Sequence, residues 1–74
     1  MFDEENFEMK TLIFFPGALV EVKISGEHGR VEAATQHLRG DNTYLVRYLS
    51  ANGQAMERTF EEHEIKRSTL SKSV

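Results

Sequence analysis

The sequence predicts an all-β domain in which five short strands curl into a small barrel. Three observations support this fold class. Apolar and polar residues alternate over residues 19–24, as in a strand with one buried face. Glycines follow at Gly26 and Gly29, where a chain reverses easily. Further along, Asn52-Gly53 separates two β-prone segments, which is a strong short-range hairpin signal.

The composition is that of one small domain. The chain has 74 residues, enough for a modest core. It contains no cysteine, so disulfides and thiolate metal sites are excluded. No apolar run approaches the roughly 20 residues that span a bilayer, and the acidic start is unlike the basic start of a signal peptide. We therefore expect a cytoplasmic protein.

The charge is unevenly distributed. The formal net charge is −3, but residues 1–8 carry four acids and no base. The rest of the chain is nearly neutral. This balance lacks the basic field that is typical of a strong nucleic-acid binder.

Five strands are predicted, at residues 19–24, 30–37, 43–49, 54–60 and 65–67. Residues 61–64 are too few for an α-helix and suit a single 3₁₀ turn. The alternation predicts two inward faces, one of Val20, Val22 and Ile24 and the other of Val31, Ala33 and Thr35.

The turns between the strands depend on glycine. Gly26 and Gly29 are predicted to adopt positive φ, which glycine does at no steric cost. Asn52-Gly53 is predicted to form a type I′ turn, in which both central residues have positive φ.

The chain is predicted to divide into three parts. Residues 1–10 form an acidic flexible tail, residues 11–67 form the barrel with an apolar N-terminal arm, and residues 68–74 form a flexible C-terminal tail. The apolar arm ends at Pro16-Gly17, a turn signal.

The first half resembles the opening of KOW-type and related SH3-like barrels. The matching positions are Gly17, Val20, Val22, Gly26, Gly29 and Val31. The second half, from Tyr44 to Ile65, resembles the closing hairpin and one-turn 3₁₀ segment of the same barrels, which Tudor-like modules share. In style the chain is similar to small accessory proteins of tailed phages and prophages. The resemblance implies a five-stranded SH3-like barrel with a binding role.

No residue pattern predicts an enzyme, a metal site or a cofactor. The three histidines, His28, His37 and His63, lack the close ligand spacing of a zinc site. The acids at Glu61 and Glu62 are adjacent on a turn, whereas acid–base catalysis needs carboxyls held across a cleft. Solvated histidines and a polar turn are the expected roles.

The aromatic residues have two open interpretations. Either the large side chains form the core, with Val20, Val22, Val31, Val46, Tyr48, Met56 and Phe60 as its members, or some of them bind ligands. In the second case the protein is a weak nucleic-acid-binding module, in which Tyr44 stacks on bases. The phosphate-binding residues would then be Lys23, Arg30, Arg47, Arg58, Lys66 and Arg67.

The favoured function is a non-enzymatic adaptor, phage- or prophage-encoded, that acts through protein–protein contact. Its contact residues would be Leu12, Ile13, Phe14 and Phe15, which either dock on their own barrel or meet an unknown protein or a second copy. Phosphate binding would weaken steeply with salt, whereas an apolar protein contact would not.

Overall fold

The computed structural model describes residues 9–69. Five strands within this range form one antiparallel sheet. The strands are β1 (Leu19–Val22), β2 (His28–Thr35), β3 (Thr43–Leu49), β4 (Ala55–Glu61) and β5 (Ile65–Arg67). A one-turn 3₁₀ segment, Glu62–Glu64, joins β4 to β5. The all-β class and five antiparallel strands are thereby confirmed.

The sheet does not close into a barrel. Its strand order is β4-β3-β2-β1-β5, so β4 and β5 are the two edges and are not hydrogen bonded to each other. After the 3₁₀ turn the chain pairs with β1, with Glu21 opposite Lys66. The three-residue β5 therefore covers the outer edge of β1, whereas no described strand pairs with the outer edge of β4.

The first strand is shorter than predicted, and Ile24 is not in the core. The chain turns after Val22, where the Gly26 N–H donates to the Val22 carbonyl at 2.7 Å. Gly26 has φ +78°, as predicted. Because the strand ends two residues early, Ile24 lies in the turn and is 95% exposed.

The second strand contains a β-bulge. Its register with β3 shifts between Val31 and Ala33. A bulge adds one residue to one strand and so reverses the alternation beyond it. Val31 is buried as predicted, but Ala34 instead of Ala33 then turns towards the core.

Gly29 is required for close packing, not for a positive φ. A Cβ atom there would lie 2.6 Å from the Arg47 carbonyl oxygen and 2.7 Å from the Val46 Cγ1 atom. Positive φ is recorded at other glycines. The predicted turn role of Gly29 is therefore wrong, and the residue instead lets β3 approach β2.

The β3–β4 hairpin is not a type I′ turn. Gly53 has φ +86°, but Asn52 does not have positive φ. The Gly53 N–H donates to the Ser50 carbonyl, and the Ser50 N–H donates to the Gln54 carbonyl. This is the longer hairpin in which a turn is followed by a left-handed glycine.

One apolar cluster forms the core. Its buried members are Phe14, Val20, Val22, Val31, Tyr44, Val46, Tyr48, Phe60 and Ile65. Six of the seven predicted core residues are among them. Met56 is 39% exposed because it lies on β4, where no further strand covers it.

We predict that Gly29→Ala lowers the free energy of unfolding by about 1–3 kcal/mol, because the added methyl overpacks the β2–β3 contact. Urea unfolding measures this loss. The control is Ala33→Ser on the same strand, which is exposed and should change stability by less than about 0.5 kcal/mol. Equal stability of wild type and Gly29→Ala would show that the strands do not approach this closely.

Candidate functional site

The N-terminal arm, residues 9–16, is anchored by Phe14. Phe14 is 6% exposed and packs edge-on against Tyr44, with ring centroids 5.4 Å apart. The Ile13 N–H donates to the Tyr44 hydroxyl at 3.1 Å. The arm therefore docks on its own sheet through both a buried ring and a backbone hydrogen bond.

A polar cluster, made of the buried Asn42 and Tyr44 and the half-buried Glu62, fixes the arm in place. Asn42 is fully buried, and its Nδ2 donates to the Thr11 carbonyl at 3.0 Å and to Glu62 Oε2 at 2.9 Å. The Tyr44 hydroxyl donates to the same Oε2 atom. The backbone adds a further hydrogen bond, from the Glu62 N–H to the Asn42 carbonyl at 3.2 Å. The Glu62 carboxylate thus connects the 3₁₀ turn to Asn42 and Tyr44, and these two side chains in turn bind the arm.

The environment of Tyr44 favours its neutral form. The pKa of the Tyr44 hydroxyl is raised, mainly because the side chain is buried. The hydrogen bond that this hydroxyl donates to Glu62 raises the pKa further. Within residues 9–69, Asn42 Oδ1 has no hydrogen-bond partner, so this amide binds its neighbours through its NH₂ group alone. The cluster consequently depends on donors that Asn42 and Tyr44 supply to Glu62.

The four apolar arm residues separate into inward and outward pairs. Phe14 is buried and Leu12 is partly buried against the core. Ile13 and Phe15 are 56% and 59% exposed. Because the inward side chains fix the arm, the outward ones are held at defined positions on the surface.

A groove of about 480 Å³ lies across the open side of the sheet. We call it the β4 groove; its lining residues are Val22, Lys23, Ile24, Ser25, Glu27, Arg58, Phe60, His63 and Glu64. They belong to β1, the β1–β2 loop, β4 and the 3₁₀ turn, whereas none belongs to β2 or β3. The groove therefore lies between β4, one edge strand of the sheet, and β1 near the other edge.

The predicted phosphate-binding residues do not converge on one site. Arg30 and Arg47 are opposite each other on β2 and β3, where Arg47 pairs with Glu57 at 3.3 Å. Arg58 lies over the Phe60 ring, 5.6 Å from its centroid.

The remaining three cations, Lys23, Lys66 and Arg67, line a second hollow of about 450 Å³ beside β5. Tyr44, the predicted base-stacking residue, is fully buried, so its ring offers no face for a base.

One histidine lies near two carboxylates. The ligand atoms of Asp41, Glu61 and His63 all lie within 4.8 Å of one another, and all three residues are exposed. The Lys10 ammonium already pairs with Asp41, raising the Lys10 pKa and lowering that of Asp41. A metal ion at this position would have to displace that ammonium group.

The ends of the described region are also attached. Lys10, within the predicted N-terminal tail, contacts Asp41, and Ser68, in the predicted C-terminal tail, is 3% exposed. The Ser68 N–H donates to the Leu19 carbonyl. The rest of both predicted tails, apart from Met9 and Thr69, lies outside the described residues.

Sequence reasoning missed the roles of Asn42 and Glu62. Glu62 stood in a run of acids that predicted only a polar turn, and Asn42 stood in a polar loop. The arm did carry a usable signal, because alternation of Leu12 and Phe14 with Ile13 and Phe15 is the period of an extended segment.

No protein-family model matches the chain, and no curated protein or solved structure matches it either. Within residues 9–69, no helix has the length and apolar character needed to cross a bilayer.

We predict that the free energy of unfolding falls as the pH rises above about 10. A tyrosine in the unfolded chain ionises at that pH, whereas Tyr44 in the folded protein has a raised pKa and stays neutral to higher pH. The pKa of Tyr44 is higher in the folded than in the unfolded state. The stability that this difference contributes is fully present below the unfolded pKa and is lost as the pH rises through the folded pKa. Urea unfolding between about pH 8 and pH 11 measures the slope.

Tyr44→Phe should remove that part of the slope and cost about 1–3 kcal/mol at neutral pH, since the half-buried Glu62 carboxylate and the Ile13 N–H lose their hydrogen-bond partner. Tyr48→Phe is the control, because it keeps Tyr44 and its contacts. Identical pH profiles for wild type and Tyr44→Phe would contradict the burial of this hydroxyl.

Proposed function

We propose that the protein is a non-enzymatic adaptor that binds another protein through its N-terminal arm. The observation that carries this proposal is the exposure of Ile13 and Phe15 beside the buried Phe14. Leaving two large apolar side chains partly in water is unfavourable, and burying the exposed half of each in a partner would release about 1–1.5 kcal/mol per side chain. Fixing the arm beforehand reduces the conformational entropy that binding costs.

The finer architecture is part of the same proposal. The one-turn 3₁₀ segment between β4 and β5 occurs where the resemblance to SH3-like barrels expects it, which supports an SH3-like architecture. The phage or prophage origin and the cytoplasmic location stay predictions from the sequence.

Weak nucleic-acid binding is a second candidate. It is supported by the three cations Lys23, Lys66 and Arg67 around the hollow beside β5. It is weakened by the burial of Tyr44 and by the pairing of Arg47 with Glu57. Binding of this kind would fall with a steep slope against salt concentration.

The arm is tested by placing a photocrosslinking amino acid at Phe15 in the full chain and irradiating cells that express it. We expect a defined adduct, identified by mass spectrometry, that the second substitution Ile13→Ser reduces. An adduct with the chain itself would identify the partner as a second copy.

The matched control carries the crosslinker at Ala51, which is exposed in the β3–β4 hairpin, at the end of β3 opposite to the Asn42 side chain that holds the arm. Ile13→Ser should leave the melting temperature almost unchanged, because this side chain is mostly in water already. Equal adducts from Phe15 and Ala51, or none from either, would contradict an arm-mediated protein contact.

A further inference from the structure

The hollow beside β5 brings together three cations from two parts of the sheet. Lys23 follows β1, and its N–H donates to the Glu64 carbonyl at 2.9 Å, which holds it against the end of the 3₁₀ turn. Lys66 and Arg67 belong to β5, and the Arg67 guanidinium carbon lies 5.9 Å from the centroid of the buried Phe14 ring. Backbone pairing and a ring contact thus position these side chains around one opening.

The two carboxylates that line the hollow already have partners. Asp41 pairs with the Lys10 ammonium group at 2.5 Å, and Lys10 lies outside the lining. Glu62 accepts hydrogen bonds from the side chains of Asn42 and Tyr44. With the histidine neutral, the lining carries three cations against two carboxylates, and Lys10 raises the local excess to two positive charges.

The two lysines of the hollow lack a counter-charge among the described residues. Within residues 9–69, no carboxylate lies within 4.0 Å of the Lys23 or Lys66 ammonium nitrogen, although Glu21 is opposite Lys66 in the β1–β5 ladder. The same range of the sequence contains eight acidic and eight basic residues, so the positive excess is local. A local excess suits a short anionic segment better than a nucleic-acid backbone, whose binding needs many phosphate contacts.

The N-terminal residues of the chain itself provide such a segment. Residues 3–8 contain no base and four acids, which are Asp3, Glu4, Glu5 and Glu8. They join the described structure at Met9, next to the Lys10 residue that contacts Asp41 in the lining. Six extended residues span about 20 Å, which is enough to cross a hollow of about 450 Å³. Charge, length and point of attachment therefore all match.

We propose that residues 3–8 bind in the hollow beside β5 of the same chain, with their carboxylates against Lys23, Lys66 and Arg67. These residues belong to the predicted N-terminal tail and lie outside the described range. A short tether favours this occupant over a second copy, because it holds the segment at an effective concentration of about millimolar. The bound segment occupies the cations that weak nucleic-acid binding would need, so a phosphate group reaches them only by displacing it.

The proposal is tested by paramagnetic relaxation in the ¹⁵N-labelled full chain. Because the chain has no cysteine, Asn6→Cys provides a single thiol for a nitroxide spin label. We expect the label to enhance the relaxation of the Lys23, Lys66 and Arg67 amide protons at low salt. Sodium chloride at about 1 M should lower this enhancement at least threefold, since it shortens the Debye length to about 3 Å.

The matched control carries the same label on a neutral segment, in which each acid is replaced by its amide. The four changes are Asp3→Asn, Glu4→Gln, Glu5→Gln and Glu8→Gln. This segment has the same length and attachment, so its enhancement measures the proximity that the tether alone produces. We expect at least threefold less enhancement at the three amides than with the acidic segment. Equal enhancement in the two chains would overturn the proposal.

A second control changes the charges of the folded region. Lys23→Gln combined with Lys66→Gln removes two cations from the hollow and should reduce the enhancement at Arg67 at least threefold. Arg30→Gln combined with Arg47→Gln removes the same charge from β2 and β3, outside the lining, and should leave the enhancement nearly unchanged. Equal losses in the two double variants would show an attraction without a defined site and would overturn the proposal.

A mixed sample identifies the chain to which the segment binds. It combines equal amounts of ¹⁵N-labelled chain without the spin label and spin-labelled chain without ¹⁵N, so any enhancement arises between copies. We expect it to be at least tenfold smaller than within one chain. Enhancement of equal size would assign the hollow to a second copy and overturn binding in the same chain. The crosslink at Phe15 tests the arm contact separately, so either proposal can fail alone.

Discussion

The structure depends most on one half-buried carboxylate, that of Glu62. It accepts hydrogen bonds from the side chains of Asn42 and Tyr44, and Asn42 in turn holds the backbone of the arm at Thr11. A single open sheet cannot enclose a core with its own strands. The arm supplies the missing cover through Phe14, and the polar cluster determines where that ring enters.

Covering one end of the sheet leaves the other end open. Phe14 packs against Tyr44, whereas Met56 and Arg58 on β4 stay exposed. The same arrangement thus produces two surfaces, the outward side of the arm and the groove beside β4. The protein contact proposed for the arm follows from this arrangement, since it uses the side chains that the docked arm cannot bury.

Local alternation predicted most strand positions, and β3 and β5 have the predicted bounds. It failed where hydrogen bonds outside the pattern decide the geometry. Ile24 continues the alternation of β1, yet the turn from Val22 to Gly26 removes it from the strand. The bulge after Val31 and the hydrogen bonds of Glu62 had no local signal, because each is determined by a partner distant in sequence.

The most direct test of the docked arm is hydrogen exchange of the Ile13 amide, followed by ¹H–¹⁵N NMR at neutral pH. This N–H donates to the buried Tyr44 hydroxyl, so it exchanges only when the arm leaves the sheet. We expect protection of at least tenfold, reduced by Asn42→Ala. Exchange at the rate of an unstructured peptide would contradict an arm that is held by the polar cluster.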